Sequence, residues 1–140
     1  MKVSLIVSKY ISNMATFISW IDETLERLIA EGADEFYLNN TGIGCILAAQ
    51  AVLIQKEKHP QIRTILVLSS PKKAYIRSYY DEVICPIPNT PTKSCAHLHR
   101  RWMVENSDII LAYTGKKSDV IWDTAKYAEN CGKTVYFQHP

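Results

Sequence analysis

HRRWMVENSDIILAYTG, residues 99–115, joins a charged segment containing one tryptophan to an apolar run that follows Asp108. Leu98 and Trp102 lie four residues apart, a spacing that places two side chains on the same face of a helix. The run DIILA, residues 108–112, has the length and composition of a buried strand. The stretch therefore predicts a helix that leads directly into a buried strand, a unit typical of α/β proteins.

The same alternation continues on both sides of this stretch. Apolar runs predict strands at residues 2–7, 35–38, 64–68, 82–85 and 134–137. Periodic apolar spacing, caps and stop signals predict helices at residues 13–31, 44–58, 94–106 and 118–131, and Ser69-Ser70-Pro71 carries the signal for another helix start. We therefore expect a single domain over residues 1–140, an α/β sandwich with a mainly parallel sheet and helices on both faces.

Composition argues against several classes of protein. The formal net charge of +2 gives no general attraction for nucleic acid or an anionic membrane, so neither partner is expected. No apolar run approaches the roughly 18 residues of a membrane span. The N-terminus opens as a strand without a signal-peptide cleavage site, which favours a cytoplasmic location. The four cysteines form no CxxC pair, so we expect reduced, mostly buried thiols.

Ligands of parallel α/β sheets bind beyond the carboxyl ends of the strands, where the strand order switches. This rule directs attention to the loop NNTGIG, residues 39–44. Thr41, Gly42 and Gly44 could bring backbone N–H groups to a phosphate at the N-terminus of the next helix. The alternative is a tight turn without a ligand, because a GxG sequence alone is weak evidence.

Two further loops contribute candidate anion contacts. Ser69 follows the third strand. In TGKKSD, Gly115 and Ser118 precede the last helix, which Ser118 or Asp119 can cap while other N–H groups stay exposed to an anion. Asp119 would repel phosphate unless its carboxylate points away, and simple capping is the alternative.

The opening stretch supplies the candidate cation. Arg101 can present its planar guanidinium to a phosphate or carboxylate. An ion pair with Glu105, four residues later, is the alternative. A rotation of about 100°, one helical residue, would give the same position to Arg100.

The CxHxH pattern of Cys95, His97 and His99 is the one arrangement that suggests a metal. Cys95 and His99 share a helix face, but His97 does not, and no fourth ligand is evident. We therefore expect no metal site.

RWMVENSDIILAYTG and TAKYAENCGKTVYF, residues 101–115 and 124–137, resemble the YpsA-like branch of the SLOG superfamily. That superfamily also contains the Lonely Guy phosphoribohydrolases and the DNA-processing protein A family. Residues 41–68 are similar to the glycine-containing loop, helix and strand of that branch. The resemblance implies a Rossmann-like three-layer fold and a site for a nucleotide or nucleotide-derived ligand.

The resemblance also bears on individual residues. Arg101 matches a basic position of the YpsA-like pattern, and His99 stands where a further arginine is expected. GKKSDVIWDT, residues 115–124, replaces the GGxGT run of the Lonely Guy enzymes, and Cys45 stands where an acid commonly follows the first glycine loop. These departures put catalysis in doubt more than the fold.

We therefore expect a protein that binds a nucleotide-like small molecule and has no further cofactor. Whether it is an enzyme stays open. If it cleaves an N-glycosidic bond, the acid would be Asp119 or Asp123. One alternative is a nucleoside deoxyribosyltransferase-like enzyme, although residues 113–119 lack the required glutamate. Another is a non-catalytic sensor or assembly module that forms homo-oligomers through aromatic residues such as Tyr75 and Trp122.

Overall fold

The computed structural model describes residues 1–117 and 119–140, so Ser118 lies outside the described residues. The described strands are β1 (Lys2–Val7), β2 (Glu35–Leu38), β3 (Arg63–Val67), β4 (Glu82–Ile84), β5 (Ile109–Tyr113) and β6 (Thr134–Gln138). The described α-helices are α1 (Met14–Ala30), α2 (Gly42–Lys58), α3 (Thr92–Glu105) and α4 (Val120–Asn130). Of these helices, none combines the length and the apolar character needed to cross a membrane.

The six strands form one sheet in the order β4-β3-β2-β1-β5-β6, and every adjacent pair is parallel. Strands β2, β3 and β4 follow one another on one side of β1, and β5 and β6 are added on its other side. The predicted Rossmann-like α/β sheet is therefore confirmed. Because successive strands are added on one side of β1 up to β4 and on the other side from β5, the switch in strand order lies between β1 and β5.

Side chains of the central strands alternate between two apolar cores. On one face, Val3, Leu5 and Val7 of β1 pack with the buried sides of α1 and α2. On the other face, Ile6 packs with the buried sides of α3 and α4. Apolar residues on both sides of β1 explain why its sequence reads as a continuous run rather than a strict alternation. The sheet is thus covered on both faces, as a three-layer fold requires.

A buried polar contact fixes α3 against β1. The Ser4 hydroxyl donates to the Met103 carbonyl at 3.1 Å and lies 2.5 Å from the Ser107 hydroxyl. Ser107 also donates to the Met103 carbonyl, at 2.7 Å. Since buried polar groups are costly unless they are paired, this network specifies the position of the C-terminal end of α3.

Two expectations about helices are corrected. The helix predicted to start at Ser69-Ser70-Pro71 does not form: this segment is irregular, with a turn at Pro71 and Lys72 and one short 3₁₀ helix, Arg77–Tyr79. Its apolar residues Tyr75, Ile76 and Tyr79 are exposed, so no apolar helix face is buried there. Helix α3 begins at Thr92 rather than at Ser94.

The expectation of mostly buried thiols was also wrong. Cys45 is buried, but Cys85 and Cys95 are half-buried and Cys131 is exposed.

Asp81 connects the edge strand β4 to the rest of the sheet. Its Oδ2 accepts hydrogen bonds from the Thr64 backbone N–H and from Lys56 Nζ, both at 2.8 Å. Burial alone would raise the pKa of Asp81, but the bonds from Lys56 and Thr64 outweigh it and lower the pKa. The carboxylate therefore stabilises the fold in its ionised form.

Asp81→Asn is expected to lower the free energy of unfolding at pH 7 by about 1 kcal/mol, the usual size for a partly exposed charged hydrogen bond. Because the folded-state pKa is depressed, this contribution is present above the unfolded-state pKa and is lost as the pH falls through the folded-state value. Urea unfolding between pH 7 and pH 2 measures the difference between variant and wild type, which should shrink below about pH 4. Asp22→Asn on α1 is the control, and an Asp81→Asn deficit that persists unchanged at pH 2 would contradict the account.

Candidate functional site

A cleft of about 660 Å³ lies at the carboxyl ends of the strands, at the β1–β5 switch point. Its apolar lining includes Ile6 of β1, Met103 of α3 and Ile121 of α4. The rule that predicted a ligand site at this edge of the sheet therefore leads to a cleft that the described residues form there.

Positive charge dominates the polar lining of the cleft. Five cationic side chains contribute to it, from Lys9, Lys73, Arg100, Lys116 and Lys117. Asp119 is the one carboxylate among the described lining residues. A concave site with this balance attracts anions.

Arg100 is the most constrained of these cations. Its side chain is partly buried, and its Nε is fully buried without a hydrogen-bond partner among the described residues. None of the ion pairs formed by the described residues includes it. Burial lowers the pKa of the Arg100 guanidinium and the charge of Asp119 acts against this, but arginine remains a cation in proteins. The cleft thus contains a half-desolvated positive charge that is not neutralised by direct pairing.

His99 precedes Arg100 and also lines the cleft. It is 2% exposed, and its Nε2 lies 2.7 Å from the Val67 carbonyl oxygen at the end of β3. Burial lowers the pKa of His99; the bond to Val67 acts against this shift, and the charges of Arg100 and Lys73 add to it. The imidazole is therefore neutral near pH 7.

Asp119 serves as the N-cap of α4. Its Oδ1 accepts from the Ile121 backbone N–H at 3.1 Å, and its Oδ2 accepts from the hydroxyls of Thr114 at 3.0 Å and Ser8 at 3.2 Å. Burial would raise the pKa of Asp119, but these hydrogen bonds and the charge of Lys116 lower it. The predicted capping by Asp119 is confirmed, and the carboxylate stays ionised.

Thr41 and Ser69 lie where the loop rule placed them, in the lining of the cleft. The Thr41 hydroxyl accepts from Lys73 Nζ at 3.0 Å, and the Thr41 N–H donates to Asn39 Oδ1 at 3.0 Å. Thr41 therefore positions Lys73 in the cleft, and the Thr41 N–H is not free to bind a ligand because it is bonded to Asn39.

Gly42 and Gly44 have structural reasons to be glycine. Gly42 adopts φ 84°, in the left-handed region that favours glycine. Gly44 donates its N–H to the Lys9 carbonyl at 3.1 Å, and a Cβ at Gly44 would collide with the Ser8 carbonyl oxygen. The Gly44 N–H predicted to contact a ligand is therefore used to join α2 to the loop after β1.

Three other candidate residues lie outside the cleft lining. Gly115 packs against the Ser12 side chain. The Arg101 guanidinium stacks over the Tyr127 ring, 4.4 Å from its centroid, and lines a separate cavity of about 210 Å³ together with Asp123. Tyr127 in turn donates to Glu105 at 3.0 Å. The Arg101–Glu105 ion pair, the alternative to an anion contact by Arg101, is not among the ion pairs of the described residues. Ser118 falls outside the described residues.

Sequence reasoning did not select Arg100, His99 and Lys73 as site residues. The signal for Arg100 was present, because a one-residue rotation of α3 exchanges it with Arg101. For His99, the basic position implied by the family resemblance was the available hint. Lys73 had no specific signal beyond its loop. Within residues 1–117 and 119–140, no group of His, Cys, Asp and Glu side chains is arranged to hold a metal ion.

Gly44→Ala is expected to destabilise the fold by about 1–3 kcal/mol, because the added methyl group displaces the Ser8 carbonyl from the N-terminus of α2. Gly132→Ala is the matched control: Gly132 has φ 78° but open space around the position of a Cβ, so only the backbone cost of about 1 kcal/mol applies. Thermal unfolding of both variants measures the difference. Equal losses would show that the close approach to Ser8 is not the reason for a glycine at position 44.

No protein-family model matches this sequence, and no curated protein matches it. Solved structures share its fold at low identity. DNA processing protein A from Streptococcus pneumoniae superposes with a TM-score of 0.71 at 17% identity over 97% of this chain and 49% of that chain. The Helicobacter pylori protein of the same name, which binds single-stranded DNA, gives 0.66 at 15% identity over 98% of this chain and 64% of that chain.

A third similar structure is the Moco carrier protein of Chlamydomonas rheinhardtii, with a TM-score of 0.56 at 14% identity over 97% of this chain and 74% of that chain. The chain thus spans between about half and two-thirds of the two DNA processing proteins. At these identities the comparisons speak to the fold. They show that this chain shares the fold of these three proteins, and membership of the SLOG superfamily stays a prediction.

Proposed function

We propose that the chain binds a nucleotide or nucleotide-derived anion in the cleft at the β1–β5 switch point. The observation that carries this proposal is Arg100, a cation that lines the cleft and whose buried Nε has no hydrogen-bond partner within residues 1–117 and 119–140. A buried donor without a partner costs about 1–3 kcal/mol, and more when it belongs to a charged group. A phosphate oxygen at hydrogen-bond distance would remove that cost and neutralise the charge.

The surroundings of Arg100 favour a ligand with more than one negative charge. Lys73, Lys116 and Lys117 approach the same cleft from two different loops, whereas Asp119 is already bonded to three donors. A nucleoside diphosphate offers two charged groups and a planar aromatic base. The cleft volume of about 660 Å³ lies within the range of about 300–1,000 Å³ found for small-molecule sites. The apolar lining provides a surface on which a base or sugar can pack.

Single-stranded DNA is the second candidate ligand. The Helicobacter pylori neighbour binds it, which does not fit clearly with the expectation that this chain has no nucleic-acid partner. Tyr10 lines the cleft, is 72% exposed and stacks on no aromatic ring of the described residues, and exposed aromatic rings are platforms on which bases stack. The small-molecule proposal is preferred because the buried donor that lacks a partner among the described residues belongs to Arg100, which lines the cleft.

Hydrolysis of an N-glycosidic bond is the narrower part of the proposal. Asp119 is assigned to it ahead of Asp123, because Asp119 lines the cleft and Asp123 is exposed in the separate cavity. An ionised carboxylate at this position would stabilise a ribosyl cation.

The remaining alternatives have less support. A deoxyribosyltransferase-like reaction lacks its nucleophile, since no glutamate is found in the described lining of the cleft. Homo-oligomer formation and a cytoplasmic location stay predictions.

Arg100→Gln is expected to weaken ADP binding by about 10- to 150-fold, the factor that corresponds to a charged hydrogen bond of about 1.5–3 kcal/mol. It should not lower the melting temperature, because it removes a buried cation that has no partner. Arg101→Gln is the matched control: the side chain is next in sequence, has the same chemistry and lies outside the cleft. Isothermal titration calorimetry measures both affinities.

Two results of the Arg100 experiment would contradict the proposal. One is wild-type protein that binds none of ADP, AMP and ADP-ribose. The other is equal ADP affinity of the Arg100→Gln variant and wild type. A labelled oligo-dT strand, titrated at several salt concentrations, separates the second candidate: nanomolar binding that ADP does not displace would favour single-stranded DNA.

Asp119→Asn is expected to lower the rate of adenine release from AMP by about 100- to 1,000-fold, the usual cost of losing one electrostatic partner of the transition state. Asp123→Asn should retain the wild-type rate. Chromatography of the released base measures both rates. Thermal unfolding checks that the variants stay folded, as expected because asparagine caps a helix about as well as aspartate does. An unchanged rate in Asp119→Asn would contradict the catalytic role assigned to Asp119. If the wild-type protein releases no adenine, the proposal is restricted to ligand binding.

A further inference from the structure

We propose that His99 contacts the ligand directly and accepts a hydrogen bond through Nδ1 from an N–H or O–H group of a nucleoside phosphate. This inference rests on the proposed function, but it adds a requirement that anion binding alone does not impose. The ligand must carry a hydrogen-bond donor as well as a negative charge.

The tautomer of His99 follows from the one hydrogen-bond partner that its ring has among the described residues. The Val67 carbonyl oxygen can only accept, so Nε2, at 2.7 Å, must carry the hydrogen. In a neutral imidazole the other nitrogen, Nδ1, is then an acceptor. The ring is 2% exposed and lines the cleft, and Nδ1 is the nitrogen left for a ligand.

The charges around the ring keep it in this state. Arg100 on the same helix and Lys73 from the loop after β3 both disfavour a third positive charge at this place. The nearby carboxylate, Asp119, is bonded to Ser8 and Thr114 rather than to the imidazole. His99 therefore differs from the other basic residues of the cleft, because it accepts a hydrogen bond where they can only donate.

Several other acceptors of the cleft already have donors. The Thr41 hydroxyl accepts from Lys73, Asn39 Oδ1 accepts from the Thr41 N–H, and the Asp119 carboxylate accepts from three donors. His99 Nδ1 is, in contrast, a ring acceptor that has no donor among the described residues, so a ligand donor that enters the cleft can bind there. A base amino group and a sugar hydroxyl both satisfy this requirement, whereas sulfate, which carries no hydrogen at neutral pH, does not.

Two substitutions separate a ligand contact from a merely structural role. In His99→Gln the side-chain amide nitrogen can reach the place of Nε2 and donate to Val67, but no acceptor remains at the place of Nδ1. In His99→Asn the shorter side chain places its carbonyl oxygen near Nδ1 and loses the Val67 bond. If His99 has only a structural role, the Gln variant should exceed the Asn variant in both stability and ADP affinity. If His99 contacts the ligand, the Asn variant should bind ADP more tightly than the Gln variant does.

Isothermal titration at pH 7.5 with ADP and with sulfate tests this inference. His99→Gln is expected to retain the wild-type melting temperature and to bind ADP about tenfold more weakly, the effect of one hydrogen bond. Its affinity for sulfate should stay within about twofold of wild type, because sulfate makes no contact with Nδ1. His99→Asn should melt lower but bind ADP more tightly than His99→Gln does.

The analogues 2′-deoxy-ADP and inosine diphosphate identify the donor. The analogue that lacks the donor group should bind the wild-type protein as weakly as ADP binds the His99→Gln variant. The affinity of that analogue should be the same for wild type and for His99→Gln. If ADP and sulfate lose affinity to the same extent in His99→Gln, or neither changes, the inference about His99 fails while the anion site stands. If wild type binds neither ligand, the proposed function fails and this inference fails with it.

Nitrogen-15 spectra of the unaltered protein provide a test that does not depend on how the variants fold. With histidine labelled in the ring, the Nδ1 resonance of His99 should move upfield when ADP is added and should stay in place when sulfate is added. An Nδ1 resonance that ADP leaves unmoved would overturn the inference.

Discussion

The parallel pairing of β1 with β5 is the constraint on which the core and the cleft both depend. The pair runs in register from Val3–Ile109 to Val7–Tyr113, and the Ser8 N–H extends it by one bond to the Tyr113 carbonyl. Because the sheet grows in opposite directions from these two strands, their loops leave toward opposite faces. The opening between those loops is the cleft.

Contacts among the loops determine which groups are left for a ligand. Gly44 is bonded to Lys9, and Asp119 is bonded to Ser8 and Thr114. These bonds use donors and acceptors that a phosphate-binding loop would otherwise present. In the proposed function, recognition then depends on helix α3, whose residues His99 and Arg100 line the same cleft. The absence of a GGxGT run is consistent with this shift from loop backbone to helix side chains.

Much of the fold could be predicted from the sequence, because apolar runs and helical periods report burial directly. The central strands met this condition, since β1 and β5 are buried on both faces. The segment after Ser69 did not, because its helix-start signal lacks a buried apolar face to stabilise a helix. Local capping chemistry alone was therefore a poor guide there.

The site was predictable to the level of loops but not of side chains. The switch-point rule located Thr41, Ser69 and Asp119 at the cleft. It could not choose between Arg100 and Arg101, because consecutive helical residues point about 100° apart and the rotation of α3 is set by packing of Met103 and Val104 in the core. It also could not show that the Gly44 N–H is bonded to Lys9, since that contact joins two distant loops.

The central claim is that an anionic ligand satisfies the buried Nε–H of Arg100. Proton–nitrogen correlation spectra of the arginine side chains, recorded during an ADP titration, test this claim most directly. The account predicts that the Arg100 Nε–H resonance shifts with saturation of the site and becomes protected from solvent exchange, while that of Arg101 stays in place. ADP binding that leaves Arg100 unmoved, or that moves Arg101 instead, would contradict it.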